Sequence, residues 1–544
     1  LKRNYERMID WWKNFFHGVA LDFWRAVVSD EQTRAEADFI QKQLQLSPLG
    51  QSQPQGARGF IQLVAPATCG AVLTIQTTRP SFRDSNPHSP LQPILSRLEV
   101  PMRSKFSGLF LLLFLLIFSP TLYARTNLET LALKAISENS AVSAPALAEL
   151  RAQGPAGLNA LFQTYAREIS EQVANPLLAP TPEWQRLSTA LDTVSQQKDS
   201  YLSGLYWYTD IEQAKSAARA AGKPILSLRL LGKLSEEYSC ANSRFFRTVL
   251  YSNAEMAHML RERFILHWQS VRPVPRVTID FGDGRRLERT LTGNSIHYIL
   301  DAEGRPLDAL PGLYGFWPFF RGLEHAEQVF KQLQGMDDQN RSVALVNYHR
   351  ARIDAITAAW VKDTGSYGGK IPEALLPRSG KGSQAAFLVA PSAVTKMVTE
   401  VPILAGITRD AEMLGKITDE SAWQRIAALH AADSLLDARS QALIRRQSAD
   451  LLASSTPGAQ FDAQLSRLVN NFQRLIALDS VRNEYVLHTK LHAWLITDAT
   501  RNDANALNEK VYAELFLTPR SDPWLGLYSP EVYTALGSGG ITGK

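Results

Sequence analysis

The chain has 544 residues, 45% of them hydrophobic, an ordinary share for globular protein and length enough for several domains. Its 58 basic and 53 acidic residues leave a net charge of +5, and the signs are interspersed, as in Arg285-Arg286-Leu287-Glu288-Arg289, so no basic stripe marks a nucleic-acid binder. Two cysteines, Cys69 and Cys240, exclude a disulfide framework and a zinc site of the usual kind, and neither a metal nor a cofactor is expected.

Residues 1–50 are tryptophan-rich and helically spaced, with Trp11, Phe15, Leu21, Trp24, Phe39, Ile40 and Leu44 as the apolar positions. Residues 20–39 resemble the helical lead-in of class I S-adenosylmethionine methyltransferases. That family places a strand and a glycine-rich loop after the lead-in, because the cofactor needs close backbone approach at a helix N-terminus. Here Gln51-Ser-Gln-Pro-Gln-Gly-Ala-Arg-Gly59 comes next, without a G-x-G pattern or an acidic ribose-binding residue. The resemblance therefore stops before any cofactor-binding part, and a truncated methyltransferase-like fragment is the most it implies. Residues 51–101 cluster Pro, Ser, Gln and Arg without a period. They read as linker or disorder, or as a stretch outside the native reading frame.

Residues 102–124 read as an export signal. Met102 offers a start, Arg103 and Lys105 a positive lead, 109–118 an unbroken apolar run, and Ala124 a small residue for cleavage after Pro120. The run is too short for a bilayer core, which needs about 20 residues, so no stable transmembrane anchor is expected. On this reading the biological chain starts at Met102, matures near Arg125 and is exported to the periplasm with one thiol.

Residues 125–204 are expected to form a helical arm. Leu128, Leu131, Ala135 and Ile136 share a face, and the stretch 146–161 pairs two short helices across Gly154-Pro155, resembling one unit of a HEAT-type repeat. From 205 the pattern changes. A helix over 211–222 ends in glycine, an apolar strand spans 225–231, and Tyr238-Ser-Cys240-Ala-Asn-Ser243 leads into helical spacing over 244–250. Ser252-Asn-Ala-Glu255 reads as a capping box opening a helix to Arg263. A strand over 264–268, a hairpin of 277–281 with 286–292 about Gly282-Asp-Gly284, and strands 296–300 and 306–310 complete the region. Residues 336–544 are expected to be a helical C-terminal domain, with apolar spacing over 442–452 and 461–478. Its His and Glu residues show no ligand spacing, and scaffold or partner surface is the role expected of it.

Helix, strand, cysteine loop, helix, strand, hairpin and closing strands over 205–335 resemble the thioredoxin-like fold, in the subgroup where a Gly-Lys-Pro-apolar strand precedes the cysteine. The expected class is α/β plus α: a thioredoxin-like domain flanked by a helical N-terminal arm and a helical C-terminal domain. The family's active site is Cys-x-x-Cys at a helix N-terminus, where unpaired amides favour thiolate. Cys240-Ala-Asn-Ser243 falls on that motif, which implies Cys240 and Ser243 as the catalytic pair and Tyr238, Asn294 and Ser295 as the substrate groove. The chain departs from the family pattern twice. Ser243 replaces the resolving cysteine, so only monothiol chemistry is open. Ser295 stands where the family has a cis-proline; a cis bond there would cost about 2.5–4 kcal/mol, so a trans bond is expected.

Cys240 is thus a monothiol centre, a structural cysteine or a ligand, and Ser243 an N-cap or a nucleophile. Trp207 and Tyr238 are core or thiol shield, His297 a satisfied core histidine or an acid-base group, and Arg272-Pro-Val-Pro-Arg276 a turn at the sheet edge or a binding rim. The leading expectation is thiol-disulfide work on envelope proteins, with protein partners or thiol substrates. The alternatives are a non-enzymatic interaction module, with Trp317, Phe319 and Phe320 near its surface, and last a methyltransferase fragment.

Overall fold

The computed structural model describes residues 127–290, 293–369, 413–453, 458–524 and 541. The methyltransferase-like stretch, the linker, the export signal and residues 525–540 lie outside the described residues.

After a helical turn series over 127–135, four helices build the N-terminal arm: α1 (Ser140–Ala152), α2 (Pro155–Thr164), α3 (Ala166–Ala174) and α4 (Pro182–Ser195). Each start has a local cause. Asn139 caps α1 by accepting from the Ala141 amide at 3.0 Å, Pro155 sits in the first turn of α2, and Thr181 caps α4 through the Trp184 amide at 3.1 Å. Gly157 lets α2 lie against α1, since a Cβ there would stand 1.9 Å from the Leu150 carbonyl oxygen. Leu150, Leu158, Leu161, Leu187 and Leu191 fill the space between, each burial contributing roughly 1.5–3 kcal/mol.

Arg151 ties the arm to the chain beyond α4. Its guanidinium donates to the carbonyls of Val194 at 2.8 Å and Trp207 at 2.6 Å and lies 4.2 Å from the Tyr206 ring centroid. Arg151→Ala is expected to cost about 2–3 kcal/mol, read as a lower urea midpoint at unchanged slope.

The central region runs α5 (Ile211–Ala221), β1 (Ile225–Leu231), α6 (Ala241–Phe246), α7 (Ala254–Arg263), β2 (Ile265–Arg272), β3 (Arg276–Asp280), β4 (Arg286–Thr290), β5 (Ser295–Leu300), β6 (Pro306–Pro311) and α8 (Phe316–Gln332). Gly222 ends α5 at φ 63°, the left-handed conformation a helix C-terminus favours. Asn253, not Ser252, caps α7, accepting from Met256 N at 2.9 Å, while the Ser252 hydroxyl donates back to Thr248 O. The main sheet has the order β2-β1-β5-β6. β1 pairs parallel with β2 (Leu226↔Leu266) and antiparallel with β5 (Leu228↔His297), and β6 runs antiparallel to β5 (Tyr298↔Ala309). The hairpin β3–β4 forms a separate two-stranded sheet.

Alternation along the strands sends two sets of side chains to opposite faces. Leu226, Leu228, Leu230 and Ile299 join the core under Phe246, Leu250 and Phe319, whereas Ile225, Ile296, Tyr298 and Ala309 meet Ala214 and Ala218 of α5. The C-terminal helices complete both layers: α9 (Asp338–Ser366), α10 (Glu420–Leu429), α11 (Ala438–Ala453), α12 (Gly458–Arg482), α13 (Thr489–Thr497) and α14 (Ala504–Lys510). Leu465, Val469, Phe472 and Ile476 of α12 share the first core, while Leu491, Leu495 and Leu507 share the second. The boundary expected at residue 336 therefore does not interrupt the core, and the described residues all belong to one compact unit. Phe319, expected near the surface, is buried; Trp317 beside it is 43% exposed. No helix among the described residues is long and apolar enough to cross a membrane.

Candidate functional site

Cys240 is the N-cap of α6, in the loop that leaves β1, and its amide donates to Leu231 O at 3.0 Å. The helix starts three residues before the periodic stretch that begins at Arg244. Ser243 is accordingly not the N-cap: it lies inside the first turn, where its hydroxyl donates to Cys240 O at 2.8 Å and accepts from Cys240 Sγ at 3.4 Å. Ser243 and Cys240 are both 0% exposed, and the thiol belongs to the same core cluster as Phe246, Tyr251 and Tyr512. The Tyr251 and Tyr512 hydroxyls are pushed well above their ordinary pKa by burial first and by Cys240 second. Burial lowers the Arg244 guanidinium, an effect Cys240 partly opposes.

Of the expected groove residues, Tyr238 and Asn294 are half-buried and Ser295 is buried. Ser295 is buried with its hydroxyl unpartnered, and no peptide bond among the described residues is cis. The Asn294 side chain donates to Thr518 Oγ1 at 3.0 Å, and its carbonyl accepts from the Tyr512 hydroxyl at 3.1 Å. Arg272 donates to the carbonyls of Thr518, Pro519 and Asp522 at 2.9–3.4 Å, so this arginine grips the chain's own C-terminal segment rather than forming a free rim. Tyr238 is half-buried beneath the Arg276 guanidinium, 5.2 Å from its ring centroid. Trp207 packs against Tyr251 at 5.1 Å. His297 is fully buried, its Nε2 2.6 Å from the Tyr251 hydroxyl and its Nδ1 without a partner. It serves the core.

A second constellation escapes a reading of the sequence. Asp308 on β6, the edge strand, meets Tyr348 and His349 of α9, His492 of α13, and Glu484 and His488 of the widened i→i+5 turn Asn483–His488 between α12 and α13. Asp308 accepts from the Tyr348 hydroxyl and from its neighbour Ala309 N, and lies 3.3 Å from His488 Nε2. His349 Nδ1 and His492 Nδ1 stand 3.0 Å apart, and His492 Nδ1 is 3.6 Å from Asp308 Oδ1. His488 Nδ1 is 2.8 Å from Glu484, which Arg352 also engages at 3.2 Å. Burial alone would raise the Asp308 carboxyl, but the imidazoles of His492 and His488 hold it well below the usual carboxylate range. Burial works against charge on His488 too, yet Glu484 and Asp308 outweigh it and lift the imidazole to about 9. Burial leads in lowering His349 to about 4 and His492 well below its ordinary value. One local signal exists: Glu484, His488 and His492 recur every four residues, on one helical face. The partners on β6 and α9 carry no such mark.

Compared with protein-family models, curated proteins and solved structures, the chain matches none of them.

Proposed function

We propose that the chain is an exported thioredoxin-like protein in which the cysteine loop is a structural and interaction element, not a working redox centre. The order β2-β1-β5-β6, parallel across β1–β2 and antiparallel beyond, with the cysteine at the start of the helix that comes after β1, supports the thioredoxin-like assignment. The burial of Cys240 carries the functional half of the reading. A thiolate must reach a partner's sulfur to exchange with it, and an Sγ with no exposed surface reaches none. Tyr512 and Thr518 sit where a substrate peptide would meet Asn294, so the fold holds its own chain there.

A monothiol role stands as the second reading, favoured by one observation: Cys240 keeps its place at the opening of α6 beside Ser243. Alkylation separates the two. Iodoacetamide at pH 8, with mass mapping of the Cys240 peptide, is expected to leave native Cys240 unmodified over times that label it fully in urea. Labelling of the native chain at the rate of a free cysteine would refute the structural reading and leave the monothiol one.

A further inference from the structure

We propose that Asp308, His349 and His492 form a binding site for one divalent transition-metal ion, with one coordination position open toward the cleft above His349. Each residue offers one ligand atom, and the three atoms lie within 4.8 Å of one another. A tetrahedral ion with bonds of about 2.0–2.1 Å separates its ligand atoms by about 3.3 Å. The observed separations of 3.0 Å between the imidazole nitrogens and 3.6 Å from His492 to Asp308 bracket that value.

The chemistry of the donors agrees. Two histidines and one carboxylate suit zinc or iron(II) and not magnesium or calcium, which take oxygen. The carboxylate is oriented from outside, by the Tyr348 hydroxyl on Oδ2 and the Ala309 amide on Oδ1, as metal-ligating carboxylates are. His488 is not counted as a ligand, because its two ring nitrogens already face Asp308 at 3.3 Å and Glu484 at 2.8 Å.

Three protein ligands leave a tetrahedral ion a fourth position for water, hydroxide or a small oxyanion. A cleft of about 260 Å³ between α9 and α13, lined by His349, Leu345, Val346, Leu495 and Arg501, reaches the site at His349.

The test uses the full chain, stripped with chelator and then titrated with Co²⁺ and Zn²⁺. One Co²⁺ per chain is expected, with the visible absorption of low-coordinate cobalt, displaced by one Zn²⁺. His349→Gln and His492→Gln are each expected to weaken binding at least 100-fold, and Tyr348→Phe, which keeps the ring against His349 and removes only the hydroxyl on the carboxylate, by about 10–100-fold. His258→Gln, on an exposed face, should leave it unchanged. Should a glutamine variant fail to fold, Tyr348→Phe with native circular dichroism carries the comparison. Absence of stoichiometric binding by the folded wild type overturns the site, as does wild-type affinity in Tyr348→Phe and in either folded glutamine variant.

Discussion

Acidification from pH 6.5 to 4 is expected to remove several kcal/mol of stability from the folded chain, and His297→Gln to spare about 3 kcal/mol of that loss. His297 and His267 are buried in the sheet, and burial lowers each imidazole to about 3, with the Arg229 charge adding to the effect at His267. An unfolded histidine takes its proton near 6.5. Between those values the unfolded chain binds protons the folded chain refuses. Stability is present in full above 6.5 and falls as pH drops, by about 1.4 kcal/mol per unit for each such group. His349 and His492 push the same way. Asp192 opposes them: burial raises it to about 6, so it takes its proton early in the folded state and favours folding at acid pH. A net loss of this size is a large part of the roughly 5–15 kcal/mol that holds a domain together. Glutamine at 297 keeps an acceptor for the Tyr251 hydroxyl, so urea midpoints of wild type and variant at pH 7, 6, 5 and 4 isolate the protonation term. Curves that stay parallel would show that His297 accepts a proton in the fold.

The central region is legible in the sequence because its signals are local. A seven-residue run holding five Leu and Ile residues makes β1, Gly222 stops α5, and Gly282-Asp-Gly284 turns the hairpin. Helix starts differ by a residue or more from the serines that would favour them. Ser243 and Ser252 are both favoured N-cap types, yet Cys240 and Asn253 take those positions, and each serine donates to a carbonyl of the preceding turn instead. What the sequence hides is tertiary. Tyr512, distant along the chain, joins the core that holds Cys240, and the Asp308–His349–His492 cluster joins a sheet edge to two helices distant along the chain. No spacing rule links a strand aspartate to histidines on α9 and α13. Only the packing of those helices against β6 does so. The same packing explains why the sequence suggests a separate C-terminal domain: α12 shows ordinary helical periodicity, and nothing in that period says its apolar face is spent on another region's sheet.

Removing the Tyr512 ring is expected to raise the alkylation rate of native Cys240 at least 100-fold. The ring is buried in the core that holds the thiol, edge-on to Phe516 at 5.3 Å, and its hydroxyl anchors the segment to Asn294 O. Replacing a buried aromatic with alanine costs about 3–5 kcal/mol. Where that cost falls decides the outcome. If residues 511–524 open as a unit while the sheet stays intact, the whole penalty appears as easier local opening, and a 100-fold change needs only about 2.7 kcal/mol. Arg272→Ala tests the same opening without a cavity. It removes three carbonyl contacts, and about a 10-fold rise is expected. Urea dependence distinguishes the routes, because local opening exposes little surface and labelling through it varies weakly with denaturant, whereas labelling through global unfolding tracks the full slope. A rate unchanged in both variants would mean that the thiol is sealed from another side, by Phe246 and Tyr251. A raised rate with a weak urea dependence would make the C-terminal segment a cover that a monothiol site could shed. The structural reading of Cys240 holds only while that cover stays shut in the native chain.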